Sequence, residues 1–171
     1  MDRQFIQISE IMSPKPVLVN AGSTITKAAE IMGQFQVGSL VVMEREKIVG
    51  LMTAHDVIFK VVAKSKDPST SIVDEVMSKR VISISPEKTV QDAMQIINEN
   101  DIKQMPVTQM GKLVGFITMK DILRIEPTLM DMAIDTIRSE EHKRKEYLEG
   151  LADRGAFVEV DEILEKSTEE E

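Results

Sequence analysis

The chain has 171 residues, 42% hydrophobic and 29% charged, with twelve Met, one Tyr, no Trp and no Cys, so it has the composition of a globular protein without disulfides, thiolate metal sites or thiol nucleophiles. Its net charge of −8 is uneven, with 15 Lys/Arg against 17 Asp/Glu in residues 1–137 and 6 against 12 in residues 138–171, and neither part has the basic excess of a general nucleic-acid binder. No apolar run approaches the roughly 18 residues of a bilayer span and the N-terminus lacks a secretory pattern, so the expectation is a soluble, cytoplasmic protein with no membrane partner.

In chain order, an extended piece at Val17-Leu18-Val19 leads into a Ser/Thr cap region and then a predicted helix with Ile25, Ala28, Ala29 and Met32 at i, i+3, i+4, i+7 spacing. Two β-rich runs follow, Ser39–Met43 and Ile48–Met52, joined by the charged turn Glu44–Lys47 as a hairpin. A second helix begins near Ala54, and the polar stretch Lys64–Ser71 reads as a connector. The same order then recurs. An extended piece at Val81–Ile84 precedes a helix with Val90, Ala93, Met94 and Ile97; a hairpin of Met105–Thr108 and Leu113–Thr118 and a helix from Met119 complete the unit. Glu126-Pro127 closes it, because the residue before Pro resists helix. An apolar helix around Leu129–Ile137, a charged stretch from Ser139 to Leu151, a short segment Ala156–Ile163 and an acidic tail Ser167–Glu171 end the chain.

The recurrence is a tandem repeat. At an offset of 65, residues 8–59 match residues 73–124 without a gap and with twelve identities, among them Gly50/Gly115, Thr53/Thr118 and Asp56/Asp121. The predicted fold class is α/β (α+β): two β-α-β-β-α units at 8–64 and 72–126, a linker at 65–71, and a helical extension with an acidic tail at 127–171. One unit of about 50 residues is too small to bury both helix stripes and a sheet face, so the copies are expected to pack with pseudo-two-fold symmetry and to form two equivalent clefts.

The shared polar identities are the candidates for chemistry. Gly50-Leu51-Met52-Thr53-Ala54-His55-Asp56 recurs as Gly115-Phe116-Ile117-Thr118-Met119-Lys120-Asp121, in each case where a strand becomes a helix. Amides and a Thr hydroxyl there can bond phosphate oxygens, and the Asp can accept from a ribose diol. Equally, Thr is a routine helix cap and a first-turn Asp complements the helix dipole. Both readings stand at this level. His142 lies among charged residues, Tyr147 reads as packing, the Met residues as core filler, and Gly111-Lys112 lacks the upstream Gly of a phosphate loop.

With these motifs in view, the chain resembles a tandem pair of CBS domains, the arrangement called a Bateman module, over roughly residues 8–124. Both copies match the family's Gly-hydrophobic-x-Thr/Ser-x-x-Asp ending, and Ile102-Lys103-Gln104-Met105-Pro106-Val107 is similar to its basic-x-x-Pro-Val strand. The resemblance implies a non-catalytic regulatory module that binds adenosine nucleotides (AMP, ADP or ATP) between the copies and signals energy state to a separate regulated protein. It implies a homodimer with no resident cofactor, and the residues themselves, with no Cys and with His55 and His142 far apart, give no expectation of a metal site. In a first, stronger cleft, Leu51, Thr53 and Asp56 would meet Val81, Ile82, Lys103, Gln104, Pro106 and Lys120. In a second, weaker cleft, Phe116, Thr118 and Asp121 would meet Pro16, Val17, Gly38, Ser39, Val41 and His55, where Gly38–Val41 has neither the basic residue nor the Pro of Lys103–Pro106. The alternatives are a dimerisation scaffold with vestigial clefts and an S-adenosylmethionine sensor. An enzyme is disfavoured, because no nucleophile–base pair, metal cluster or glycine-rich phosphate loop is present in the sequence.

Overall fold

The computed structural model describes residues 6–130, 133–134, 137–139, 141–143 and 145–146. In the first repeat, α1 spans Ile8–Ile11, β1 Leu18–Asn20, α2 Ile25–Phe35, β2 Ser39–Glu44, β3 Lys47–Thr53 and α3 Ala54–Lys60. In the second, α4 spans Val73–Val76, α5 Val90–Asn100, β4 Gln104–Gln109, β5 Lys112–Thr118 and α6 Met119–Ile125.

Local chemistry accounts for most boundaries. Thr24 caps α2 by accepting from the Lys27 amide at 3.2 Å, and Thr89 caps α5 in a reciprocal box with Asp92. Both helices end on a left-handed residue, Gln36 and Asp101. The stripes Ile25, Ala28, Met32 and Val90, Ala93, Met94, Ile97 are buried. Ala29, expected in the first stripe, is exposed, whereas Met94, with its longer side chain at the matching position of α5, is buried. The two hairpins share one register, Ser39↔Thr53 to Glu44↔Lys47 and Gln104↔Thr118 to Gln109↔Lys112, each with a bulge. Their loops are tighter than the sequence suggests: Arg45-Glu46 and Met110-Gly111 sit at positive φ, as two-residue type I′ turns require.

The repeats differ at their first strand. In the first, β1 runs parallel to β2, and the Val41 amide donates to the Val17 carbonyl at 3.0 Å. In the second, the strand expected over Val81–Ile84 is reduced to a single parallel bridge, Ile84↔Val107. Pro106 stands where Val41 stands in the first copy and has no N–H to give the Ile82 carbonyl.

The cores do not coincide with the sequence repeats. The first core, around Ile25, Ala28, Leu40, Val42 and Met52, is completed by Val73, Val76 and Met77 from α4 and its end. The second core, around Val90, Ile97, Met105 and Ile117, is completed by Ile8 from α1. Each repeat therefore sends its leading helix into the other. Paired hydrogen bonds show the exchange to be symmetric. Ser13 and Phe116 exchange backbone bonds of 2.8 and 2.9 Å, and Ser78 and Leu51 exchange bonds of 2.8 and 3.0 Å. The Ser39 hydroxyl donates to Gln104 Oε1 at 3.0 Å; these residues are 65 apart, so the pseudo-two-fold axis passes between them.

Beyond α6, a 3₁₀ turn at Pro127–Leu129 leads to Met130, and the described positions from there to Glu146 are helical. Ala133 is buried in the second core, with Leu129 packed against it. Lys143 pairs with Asp101. The expected end of the charged stretch at Leu151, the segment Ala156–Ile163 and the acidic tail lie outside the described residues. Among those described, no helix is long and apolar enough to cross a membrane, and no cluster of three or more His, Asp or Glu could hold a metal ion.

Candidate functional site: two unequal clefts

The glycine of the repeated motif has a packing reason. A Cβ on Gly115 would lie 2.4 Å from Met12 Sδ and 3.0 Å from the Ser13 carbonyl oxygen; on Gly50 it would lie 2.3 Å from Met77 Sδ and 3.0 Å from the Ser78 carbonyl oxygen. The glycine thus admits the crossing segment from the other repeat. That segment carries Ser13, Lys15, Pro16 and Val17 past one motif and Ser78, Arg80, Val81 and Ile82 past the other, so it builds one wall of each cleft.

Thr and Asp of the motif form capping boxes. The Thr53 hydroxyl donates to Asp56 Oδ2 at 2.7 Å and accepts from the Asp56 amide at 3.1 Å; Thr118 and Asp121 repeat this at 2.6 and 3.2 Å. The capping reading is therefore realised in both copies. It occupies Oδ2 of each carboxylate, and the two copies part company at Oδ1. Lys60 Nζ lies 2.7 Å from Asp56 Oδ1 and donates to the Val76 carbonyl at 2.8 Å. On Asp121, the Arg124 guanidinium is 3.7 Å from Oδ1. Burial works to raise the pKa of Asp56, but the Lys60 ammonium and the Thr53 hydroxyl and amide together hold it below the ordinary carboxylate value.

The second cleft encloses a cavity of about 340 Å³. Of the residues assigned to this cleft, Pro16, Val17, Gly38, Ser39, Val41, Phe116, Thr118 and Asp121 line it, together with Ser13, Lys15, Gln36, Val37, Gln104 and Lys120. The structure places three of the implied residues differently: Lys120 and Gln104, assigned to the first cleft, line the cavity of the second, and His55, assigned to the second, is not among the residues lining it. Lys120 immediately precedes Asp121 on the first turn of α6 and so belongs to the cleft of that carboxylate. Gln104 sits on the pseudo-two-fold axis against Ser39. His55 precedes Asp56 on α3 and packs against Phe59, with ring centroids 4.2 Å apart and the rings tilted by 39°. Lys15, which sequence reasoning passed over, had a signal: it aligns with Arg80 at the repeat offset, so each copy carries a basic residue there.

In the first cleft the chain brings the implied residues near one another through the backbone. Leu51 pairs with Ser78 at the start of the segment holding half-buried Val81 and Ile82, and the Pro106 carbonyl accepts from Ile84 at 3.1 Å. The Lys103 side chain is exposed, and its carbonyl accepts from the first amide of α6 at 2.8 Å. Two groups matching the second cleft's lining are held by the protein itself. Arg80, counterpart of Lys15, donates to Asn100 at 3.3 Å, and Asp101, counterpart of Gln36, is paired with Lys143. Lys15 and Lys120 of the second cleft have no such partner among the described residues.

Comparison with known proteins agrees with this architecture. Residues 8–63 and 73–127 each match the CBS domain. The chain belongs to the CBS-domain family. An uncharacterized protein of Methanopyrus kandleri is 30% identical over 145 residues, 84% of this chain and 72% of its own length. The hexameric CBS-CP12 protein from bloom-forming cyanobacteria is 25% identical with a TM-score of 0.68, over 92% of this chain and 88% of that one. A CBS domain pair in complex with 5′-methylthioadenosine and S-adenosyl-L-methionine is 25% identical with a TM-score of 0.65, over 71% of this chain and 95% of that one. CBS pairs are regulatory ligand-binding modules, and no enzyme family is indicated among the relatives.

Proposed function

We propose that this CBS pair is a non-catalytic sensor that takes an adenosine nucleotide in its second cleft, in place of the first cleft expected to be the stronger, and passes the occupancy to a partner protein. The observation that carries the reading is the cavity itself. Its volume of about 340 Å³ lies within the range of small-ligand sites. Phe116, Pro16, Val17 and Val41 supply an apolar wall suited to a base, and Asp121 an acceptor suited to ribose hydroxyls. Lys15 and Lys120 supply two positive groups suited to phosphate. A ligand that prefers one relative orientation of the repeats would shift their arrangement, because both walls of the cleft come from different repeats. Exposed Ile58, Phe59 and Val62 on and after α3, at 53, 55 and 63%, support pairing with a second copy.

An S-adenosyl ligand is the second reading, favoured by the related pair that holds 5′-methylthioadenosine and S-adenosyl-L-methionine. The two readings separate in a thermal-shift series with AMP, ADP, ATP and S-adenosylmethionine at about 1 mM on wild type and Asp121→Ala. A ligand with a dissociation constant near ~10 μM adds ~2.7 kcal/mol at hundredfold excess, a rise of several degrees at about 2–4 °C per kcal/mol. The expected result is a rise with a phosphorylated adenosine that Asp121→Ala removes. A rise with S-adenosylmethionine alone would transfer the assignment to the second reading, and no rise with any compound would leave a dimerisation scaffold.

A further inference from the structure

The two clefts carry the same motif on a near-symmetric scaffold, so the residues that break the symmetry decide how they differ. Lys60 is the sharpest break. Its ammonium bridges the Asp56 carboxylate, at 2.7 Å, to the Val76 carbonyl at the end of α4, at 2.8 Å. Asp56 is nine-tenths buried beneath it. The residue 65 positions on is Ile125, which has no charge to offer Asp121. Asp121 has instead the looser contact with Arg124, 3.7 Å from Oδ1, and is the more open carboxylate, 28% exposed against 12% for Asp56; it also lines the cavity.

With Oδ2 already accepting from Thr53, Oδ1 is the atom through which Asp56 could receive a ligand hydroxyl, and Lys60 holds it. We propose that Lys60 is a built-in occupant of the first cleft, a latch that withholds Asp56 from adenosine hydroxyls and makes the CBS pair take one ligand per chain, in the second cleft. The inference rests on the adenosine reading above and adds the residue that assigns the ligand to one cleft. The Arg80–Asn100 and Lys143–Asp101 contacts act in the same sense, since they hold the first cleft's counterparts of Lys15 and Gln36.

The repeat supplies its own test by exchange. Lys60→Ile gives the first cleft the residue of the second; Ile is tolerated at the matching position, where Ile125 is 44% exposed. Ile125→Lys places an ammonium beside Asp121 and the Ile11 carbonyl, the counterpart of Val76. Isothermal titration calorimetry on the full chain, with AMP, ADP, ATP and S-adenosylmethionine as probes, reads stoichiometry and affinity. Expected are one site per chain in wild type, two in Lys60→Ile, and affinity for the second cleft reduced about tenfold or more in Ile125→Lys, the loss of roughly one charge-assisted hydrogen bond. Two sites in wild type, a wild-type site lost in Asp56→Ala but kept in Asp121→Ala, or one site unchanged in Lys60→Ile would each overturn the latch while leaving the adenosine reading intact. No binding of any probe to wild type or Lys60→Ile would overturn both. A ligand-free readout runs alongside: the Asp56 carboxylate, followed by carbon-13 NMR, is expected to titrate at higher pH in Lys60→Ile. Identical titrations would show that Lys60 does not hold the carboxylate in solution.

Discussion

Asp56 and Asp121 show how one residue in one motif is set to different tasks by a side chain four positions away. Both are the third residue of their helices and both return a bond to the capping Thr. Only Asp56 has a lysine one turn on, and Lys60 uses a second donor to reach the other repeat at Val76. The acid response of the protein follows from this. The folded pKa of Asp56 is depressed, whereas the unfolded chain titrates near ~3.9. The stability it contributes is therefore fully present above that pH and is lost as pH falls through the folded pKa. In Lys60→Ile the opposing effect of burial is less offset, the folded pKa rises, and the loss begins at higher pH. Urea midpoints measured between about pH 2 and 6 are expected to show the variant's acid limb displaced upward relative to its own neutral-pH plateau. Superimposable limbs would place the acid-sensitive stability elsewhere, with Asp92, lowered by its bonds from Thr89, the next group to test.

At the scale of elements, the strand-to-helix junction is where packing and site meet. β5 reaches its motif through Gly115, whose missing side chain leaves room for Met12 and the Ser13 carbonyl. The same crossing segment delivers Lys15 and Pro16 to the cavity. Gly115→Ala must displace that segment. Met12 is flexible and can turn aside, but the Ser13 carbonyl lies 3.0 Å from the new Cβ, and Ser13 is tied to Phe116 by two backbone bonds, one through that carbonyl and one through its amide. The expected cost is about 1–3 kcal/mol, read as a lower thermal midpoint, with weaker ligand binding at the second cleft. Gly50→Ala should cost a similar amount and spare that cleft, because its clash is with Met77 and Ser78 beside the first cleft. Equal loss of binding in both variants would mean that the effect travels through general destabilisation.

Over the whole molecule, the exchange of leading helices makes the pair one folding unit. A chain cut at the sequence boundary, into 1–64 and 65–171, separates each core from the helix that completes it: the first loses Val73, Val76 and Met77, the second loses Ile8. Loss of one large buried aliphatic side chain from a core costs about 2–5 kcal/mol, a large part of the ~5–15 kcal/mol that holds a domain folded. Neither fragment is expected to give a cooperative thermal transition by circular dichroism. An equimolar mixture should recover one, and a fragment of residues 13–78, which follows the first core instead of the repeat, should fold better than 1–64. A cooperative transition in 1–64 alone would show that α4 is dispensable.

The amino-acid sequence by itself determined the two-fold repetition, the helix stripes, the hairpins and the position of the Gly-x-x-Thr-x-x-Asp motif, because these depend on residues a few positions apart and on a pattern that recurs at 65. It also showed that the basic-x-x-Pro-Val strand occurs in one copy only. What Pro106 does there required the partner strand, since a missing N–H matters only where a carbonyl awaits it. The division of the cleft residues was likewise a matter of tertiary structure. Lys120, Gln104 and His55 are placed by which repeat's segment crosses which motif, and local spacing is the same whether the leading helices stay home or cross over. The state of Asp56 was decided last, by the Val76 carbonyl that turns Lys60 from a surface charge at the end of a helix into a bridge between repeats. A hydrogen bond between residues 16 positions apart leaves no periodic trace in a sequence, and it separates two otherwise equivalent clefts.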